Sequence, residues 1–546
     1  MRRSAQVRRY LTAFDTARLP QVFVDVAIIG SGVAALRAAL EIAPERTVAV
    51  LTKDEPTESN SYYAQGGIAS VTVEDDSFAK HEADTLKTGC GLSDKAVVHE
   101  VVCAAPEVIG ELIEWGAEFD RAEGRLSVSR EGGHSAARII HARGDETGKE
   151  ITSALVARVR ACETVDLRPH VFAVDFLTVG DAVVGVVAWH PTQGLLAVRA
   201  RRTILASGGL GRIYRETTNP EVATGDGLAM AYRAGAVLRD LEFVQFHPTT
   251  LYIAGASRHL ISETVRGEGG RLVDKAGRAF MKDYHPAGDL APRDVVSRSI
   301  VDFLRKTGAT NVYLDLTHLG EGVRRRFPGI ADACSQFDID IAEDLIPVRP
   351  SAHYMVGGVR TDRAGRTNLP NLYACGEVSS TGLHGANRLG SNSLLEGLVF
   401  GRAAGRDILA ALAAEGAGKA AGAGTPERIR SDVTRSTRGE LNLADVLSSL
   451  RSLMWRDVGI VRGAEGLREA DALIEFWQSY VLDKVFDQPA GWELQNMLTL
   501  GRLIAAAALA RTETRGVHVR SDFPRRDDAA WRKHILVQYG REIRVE

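Results

Sequence analysis

Short apolar runs punctuated by glycine turns fill the first half of the chain, and helical periodicity dominates its end. Val22 to Ile29 is a run of β-branched and apolar residues that meets Gly30-Ser31-Gly32 and then an alanine-rich stretch to Glu41. That order predicts strand, tight turn and helix. Thr47 to Thr52 (TVAVLT) predicts a second short strand, and Ser59 to Ser70 (SNSYYAQGGIAS) a loop too rich in glycine for a helix. Val183 to Ala200 alternates as a β-hairpin, Thr203 to Gly209 (TILASGG) predicts a strand entering a glycine turn, and Gly225 to Ala236 has helical spacing. From Leu238 to Leu319 charged and histidine residues crowd among short motifs, which reads as an inserted domain. Strand-like pattern resumes at His353 to Gly358. Asn371 to Gly376 (NLYACG) predicts a strand ending in glycine, and a Gly/Ser-rich loop then leads into a helix at Ser393 to Arg402. The domain opened at Val22 is therefore completed far along the chain.

With 546 residues the chain exceeds the ~250–300 at which one core stops growing, so two or three domains are expected. The pattern divides it into an α/β nucleotide domain at 21–238 and 354–415, an inserted domain at 239–353, a linker at 416–426 (Gly416 to Gly424 is GAGKAAGAG) and a C-terminal part at 427–546 that is helix-rich to about Leu509. Residues 1–20, with an arginine-rich start and no signal-type apolar core, are expected to be a disordered tail. The last stretch to Glu546 is arginine-rich with few core signals. Sixty-seven basic against 70 acidic residues leave a net charge of −3, which speaks against nucleic acid and for small substrates. Cys90, Cys103, Cys162, Cys334 and Cys375 are scattered and never in C-x-x-C spacing, which argues against disulfides, zinc and iron–sulfur clusters and fits a reducing cytoplasm. No apolar run approaches the ~20 residues of a membrane span.

At a strand–turn–helix such as Gly30-Ser31-Gly32 the backbone can approach a pyrophosphate, whose charge sits at the positive end of the helix. The third position of G-x-G-x-x-G is Ala35. TVAVLT ends in Thr52-Lys53 where an acidic ribose ligand would stand, so that contact stays unassigned. Glu131 to His141 (EGGHSAARIIH) carries a carboxylate, two imidazoles and Arg138 on a glycine turn; taken alone it reads as a solvated loop.

The ordered segments GSGVAAL, YAQGGIA, EGGHS, QFHPT, SETVRGEG, APRD, HYMVGGV and ACGEVSSTGLHGANRLGSNSLLEGL resemble the succinate dehydrogenase and fumarate reductase flavoprotein family over Val22 to Arg406. Leu453 to Arg462 and Arg511 to Pro524 look like its helical domain, and within the family the aspartate oxidases are the most similar. The resemblance implies a split Rossmann-like FAD-binding domain, an inserted α+β capping domain and a C-terminal helical domain. It implies FAD contacts at Gly30, Ser31, Gly32, Ala34, Ala35, Thr52 and Lys53, and at Asn60, Ser61, Ala64, Gln65, Gly66 and Gly67. Further contacts fall at Ala206, Gly208, Gly209, Asp226, Gly376, Glu377, Asn387, Ser391, Ser393 and Leu394. Asn60 stands where some relatives have a flavin-linked histidine, so noncovalent FAD is expected.

By the same resemblance Glu131 meets a substrate ammonium, which favours L-aspartate over succinate. His353 and Arg388 hold the carboxylate beside the reacting carbon, and His247 and Ser262 the distal one; many relatives have threonine in place of Ser262. Arg293 resembles the proton-transfer residue, with Glu263 and Arg266 as its relay, although a third carboxylate clamp remains open for it. The implied reaction is oxidation of L-aspartate to iminoaspartate for quinolinate and NAD synthesis, with oxygen or fumarate reoxidising the flavin and quinolinate synthase as the downstream partner. No metal is implied. The alternatives are a soluble fumarate reductase or succinate dehydrogenase subunit, and a flavin-binding electron-transfer subunit with no substrate of its own.

Overall fold

The computed structural model describes residues 7–253, 259–415, 426–433 and 441–546, so most of the expected linker lies outside the described residues. The first apolar run forms the strand Gln21–Ile29, whose last four residues are all buried. It pairs in parallel with Val48–Leu51 on one side and with the long strand Gly194–Leu205 on the other. Val165–Arg168 extends the parallel side, while Phe172–Val179 and Ala182–His190 continue the far side as antiparallel strands. Leu372–Ala374 then docks in parallel onto Thr203–Leu205, completing a seven-stranded sheet from segments far apart in sequence. Near-continuous apolar strands are what a sheet covered on both faces requires.

The helices Val33–Ile42 and Asn392–Ala414 cross closely on one face of this sheet. Gly397, Gly401 and Gly405, spaced by four, form the contact stripe, and a Cβ at Gly401 would lie 2.5 Å from the Ala34 carbonyl oxygen. The inserted segment builds a four-stranded antiparallel sheet in the order Val244–Leu251, Ile346–Met355, Val312–Asp315, Arg271–Val273. The helix Arg293–Thr307 packs on it, and residues such as Leu272, Val296, Ile300, Leu314 and Ile346 give it a separate core. The helices Leu443–Asp457, Ala464–Val481 and Pro489–Ala510 share one continuous core with the large sheet, Leu450, Ile474 and Leu498 clustering with Val198, Leu205 and Leu228. Among the described residues no helix is long and apolar enough to cross a membrane.

Two terminal expectations need correction. Residues 7–20 are ordered: Phe14–Asp15 pairs with Arg430–Ser431, and Leu11 and Phe14 are buried in a cluster with Phe172 and Trp492. The apolar side chains scattered among the early arginines anchor the segment. At the other end, Ile535–Val537 is a buried strand between Leu238–Arg239 and Arg544–Val545. Three of the arginines before it, Arg511, Arg515 and Arg520, are interior too, while Arg525, Arg526 and Arg532 are exposed. Arg511 Nε donates to Glu242 Oε1 at 2.6 Å, Arg515 Nε to Glu513 Oε1 at 2.6 Å and Arg520 Nη1 to the Ala508 carbonyl at 2.8 Å. Guanidinium forks satisfied by internal acceptors can be buried, so a count of charges misjudged exposure here.

Candidate active site

The C-terminal ends of the parallel strands open on a cleft with about 1700 Å³ of empty space, part of it continuous with solvent. Its lining runs from the Gly30 turn past Gly376 and Glu377 to His247, His353 and Arg388. Gly30 forms its floor with φ +111°, and a Cβ there would sit 2.2 Å from the Ala206 carbonyl oxygen, so only glycine fits. Ser31 Oγ donates to Thr52 Oγ1 at 3.0 Å. The helix Val33–Ile42 begins at Gly32 with no side chain of its own capping it, which turns the positive helix end towards the cleft.

Ala34, Ser61, Ala64, Gly66, Gly67, Ala206, Gly208, Gly209, Gly376, Ser391, Ser393 and Leu394 continue the wall. Gln65 also lines it, its Oε1 buried with no hydrogen-bond partner among the described residues. A glycine-paved wall beside a helix N-terminus, with an unpaired acceptor further along, fits an FAD. Two lining groups are already engaged. Lys53 Nζ donates to Thr224 Oγ1 (2.6 Å), Asp226 Oδ2 (2.7 Å) and Glu493 Oε1 (2.7 Å), and Glu377 accepts from Asn60 Nδ2 (2.8 Å) and the Met355 amide (2.9 Å). Burial raises the Glu377 carboxyl above the usual carboxylate range.

At the other end of the cleft the inserted sheet contributes His247 and His353, and the loop before helix Asn392–Ala414 contributes Arg388. Gln245 Oε1 accepts from Arg388 Nε (3.2 Å) and Nη2 (3.0 Å) and from Arg293 Nη1 (3.5 Å), which draws the two guanidiniums together. Burial, aided by Arg293, brings the Arg388 guanidinium down to about 10. Arg388 lies 4.5 Å from the centre of the Tyr354 ring. Burial, with neighbouring guanidiniums adding to it, holds both His247 and His353 well below their ordinary value, so both imidazoles are neutral. His353 Nδ1 meets Thr218 Oγ1 at 2.9 Å, and His247 Nε2 is buried without a partner among the described residues. Ser262 caps the short helix Glu263–Gly267 and also lines the cleft.

Glu263 sits between Arg293 Nε, with which it forms a short ion pair, and Arg266 Nη2 at 3.2 Å. Burial raises its carboxyl, but Arg293 and Arg266 more than reverse that and hold it below the ordinary value. Burial lowers the Arg266 guanidinium. Glu131 comes from the glycine turn that the sequence read as solvated, yet it is 2% exposed and lies behind the cleft wall. Its carboxylate accepts from Thr264 Oγ1 (3.0 Å) and Ser391 Oγ (2.8 Å), and burial, with Glu263 close by, raises its carboxyl. A Cβ at Gly390 would meet Glu131 Oε2 at 2.9 Å, Arg293 Nη2 at 3.0 Å and Glu263 Oε2 at 3.5 Å. Glycine at that position lets the three charges converge.

The structure thus gathers on the cleft all the expected residues except four. Ala35 is buried beneath its helix, Asn387 braces Gln245 and Asp294, and Arg266 and Glu131 stand behind the wall. The QFHPT and HYMVGGV segments gave Gln245 and Tyr354 no role at the level of the sequence, and Thr218 carried no signal there. A polar residue two positions before a strand histidine points to the same face, which was the available signal.

Comparisons with known proteins agree with this geometry. The family described as FAD binding domain matches residues 25–394, and the family described as fumarate reductase flavoprotein C-term matches residues 448–546. An L-aspartate oxidase of Streptomyces coelicolor is 42% identical over 538 residues, covering 95% of this chain and 92% of that protein. One from Nostoc sp. is 40% identical, covering 97% and 95%. A solved structure of E. coli quinol fumarate reductase superposes with a TM-score of 0.89 at 34% identity, covering 97% of each chain.

Proposed function

The chain belongs to the L-aspartate oxidase family, a branch of the succinate dehydrogenase and fumarate reductase flavoproteins, and we propose that its cleft oxidises L-aspartate to iminoaspartate, the step that opens NAD synthesis through quinolinate. FAD, when bound, supplies the two-electron acceptor. Asn60 carries an amide, which cannot form the covalent flavin link of some relatives, so the cofactor is held without a bond.

The observation that carries this reading is the sharing of Gln245 Oε1 by Arg293 and Arg388 beside two neutral imidazoles. Two fixed positive charges match the two carboxylates of a four-carbon acid, and the imidazoles add hydrogen bonds without adding charge. Arg388 and His353 hold the carboxylate next to the reacting carbon, while His247 and Ser262 hold the distal one. The Arg293–Glu263–Arg266 line moves a proton away from the substrate or, with Arg293 charged throughout, clamps it. Glu131, one hydroxyl behind the wall, supplies the negative potential that an ammonium group needs and succinate does not. Oxygen is one electron acceptor; fumarate is another, and it fits the same clamps because its carboxylates are similarly placed. Closure of the inserted domain over the cleft excludes water, and quinolinate synthase in the cytoplasm takes the product onward.

A succinate- or fumarate-converting enzyme is the second reading, favoured by Glu131 lying behind rather than on the cleft surface. Anaerobic mixing of the flavin-loaded protein with each acid decides between them. L-Aspartate should bleach the flavin absorbance and succinate should not; bleaching by succinate alone overturns the proposal.

A further inference from the structure

The helix Phe78–Thr88 turns His81, Asp84 and Thr85 inward towards the substrate loop and Glu82 outward. On that outer side Glu82 meets His99 and Cys103, which stand four residues apart on one face of the helix Lys95–Glu114. His99 Nδ1 is 2.8 Å from Glu82 Oε1, and Cys103 Sγ is 3.8 Å from either ring nitrogen of His99. One ligand atom from each residue lies within 4.8 Å of the others. None of the three lines the cleft.

We propose that Glu82, His99 and Cys103 form a binding site for zinc(II) or a similar borderline-soft divalent ion, with water completing the coordination. The ligand chemistry selects the ion, because thiolate and imidazole favour zinc over magnesium or calcium. Zinc bonds of ~2.0–2.3 Å in a tetrahedron place neighbouring ligand atoms roughly 3.3–3.6 Å apart, a spacing the present contacts bracket. The His99 side chain is 67% exposed, so its ring can turn to present a nitrogen without disturbing any packing. On binding, the Cys103 thiol gives its proton to water and the sulfur takes up the metal.

The consequence reaches the substrate loop. His81 Nε2 contacts Asn392 Oδ1 at 2.9 Å, and Asp84 accepts from Arg138 at 2.6 Å, so the helix bearing Glu82 backs the segment that carries Arg388. A bound ion cross-links that helix to its neighbour from outside. No C-x-x-C pair marks this arrangement in the sequence, because it joins an i, i+4 His/Cys pair to a carboxylate from a different helix.

Alkylation of the chelator-treated, flavin-loaded protein tests the site. Iodoacetamide labelling of Cys103 is read by mass spectrometry of its peptide, with Cys162, half-exposed at the end of another helix, as the internal reference. Zinc chloride at about ten times its dissociation constant should slow Cys103 labelling about tenfold relative to Cys162, and magnesium chloride should change nothing. Glu82→Gln and His99→Ala should each shift the protection to higher zinc concentration. Absence of protection overturns the site, as does protection that is unchanged in both variants. Should His99→Ala fail to fold, the surface change Glu82→Gln tests the same point.

Discussion

Gln245 has one carbonyl oxygen, and two guanidiniums converge on it. Arg388 gives it two N–H bonds and gives a third, from Nη1, to Ser393 Oγ at 2.9 Å. A lysine ammonium has the charge without the planar fork, so Arg388→Lys forfeits charge-assisted hydrogen bonds worth roughly 1.5–3 kcal/mol. We expect kcat/KM for L-aspartate to fall about ten- to a hundredfold while the flavin content of the purified variant stays at the wild-type level. Steady-state kinetics and the visible spectrum check both halves. Glu131 makes a complementary case. Glu131→Gln keeps a group of the same shape against Ser391 and Thr264 but removes the charge, so KM for L-aspartate should rise and succinate should begin to compete. Unchanged aspartate kinetics in that variant would refute the ammonium role. The pH profile carries a related signature. Burial and Glu263 raise the Glu131 carboxyl, and its ionised form is the one that attracts an ammonium. The acid limb of kcat/KM should therefore lie above the ordinary carboxylate range in the wild type and lose that component in Glu131→Gln.

At the scale of the element, the segment Glu131 to His141 shows how far pattern reading goes. Its glycine turn was legible from Gly132-Gly133; its short strand Ile139–Ile140 and its burial were not. A glycine turn with a carboxylate and two imidazoles looks solvated until its distant partners are in place. Arg138 donates to Asp76 at 2.8 and 2.9 Å, to Asp84 at 2.6 Å and to His134 Nδ1 at 2.9 Å, and His134 Nε2 faces the Gly390 carbonyl at 3.1 Å. Asp76, Asp84 and Gly390 come from other elements, and no local periodicity announces them. Burial lowers His134 to about 3, and His81 and His141 to about 4. In the unfolded chain such groups titrate near ~6.5, so the unfolded state binds protons in this window that the folded state refuses. Stability from these histidines is complete above about pH 6.5 and drains as the pH falls towards about 3 to 4. The thermal midpoint should hold level down to roughly pH 6.5 and decline below it, and His134→Gln should give a shallower decline between pH 6 and 4. Parallel declines in the two proteins would remove His134 from the account.

At the scale of the molecule, the sequence motifs revealed that the nucleotide domain is split, because both halves end in glycine turns that make sense only together. They did not reveal how both termini are woven in. The strand Ile535–Val537 pairs with Leu238–Arg239, and the Val517 amide donates to the Ala386 carbonyl at 3.0 Å, two positions before Arg388. A three-residue strand has too little pattern to be seen locally, and its partner lies nearly three hundred positions earlier. Deleting residues 534–546 should therefore lower the thermal midpoint and release flavin, read as a rise in free-FAD fluorescence, even though no deleted residue lines the cleft. Retention of the flavin by the truncated protein would show that the cleft closes without this strand.

The docking of Leu372–Ala374 onto Thr203–Leu205 also sets a timetable for biosynthesis. Chains leave the ribosome at roughly 5–20 residues per second, so the nascent sheet waits on the order of ten seconds for its missing strand, and longer for Ile535–Val537. During that interval the apolar edge of the long strand is open to the cell, and long-range pairing of this kind is intrinsically slow. Cofactor loading thus belongs to the finished polypeptide, and a chaperone that shields the waiting edge would raise the yield of active protein more than extra riboflavin would.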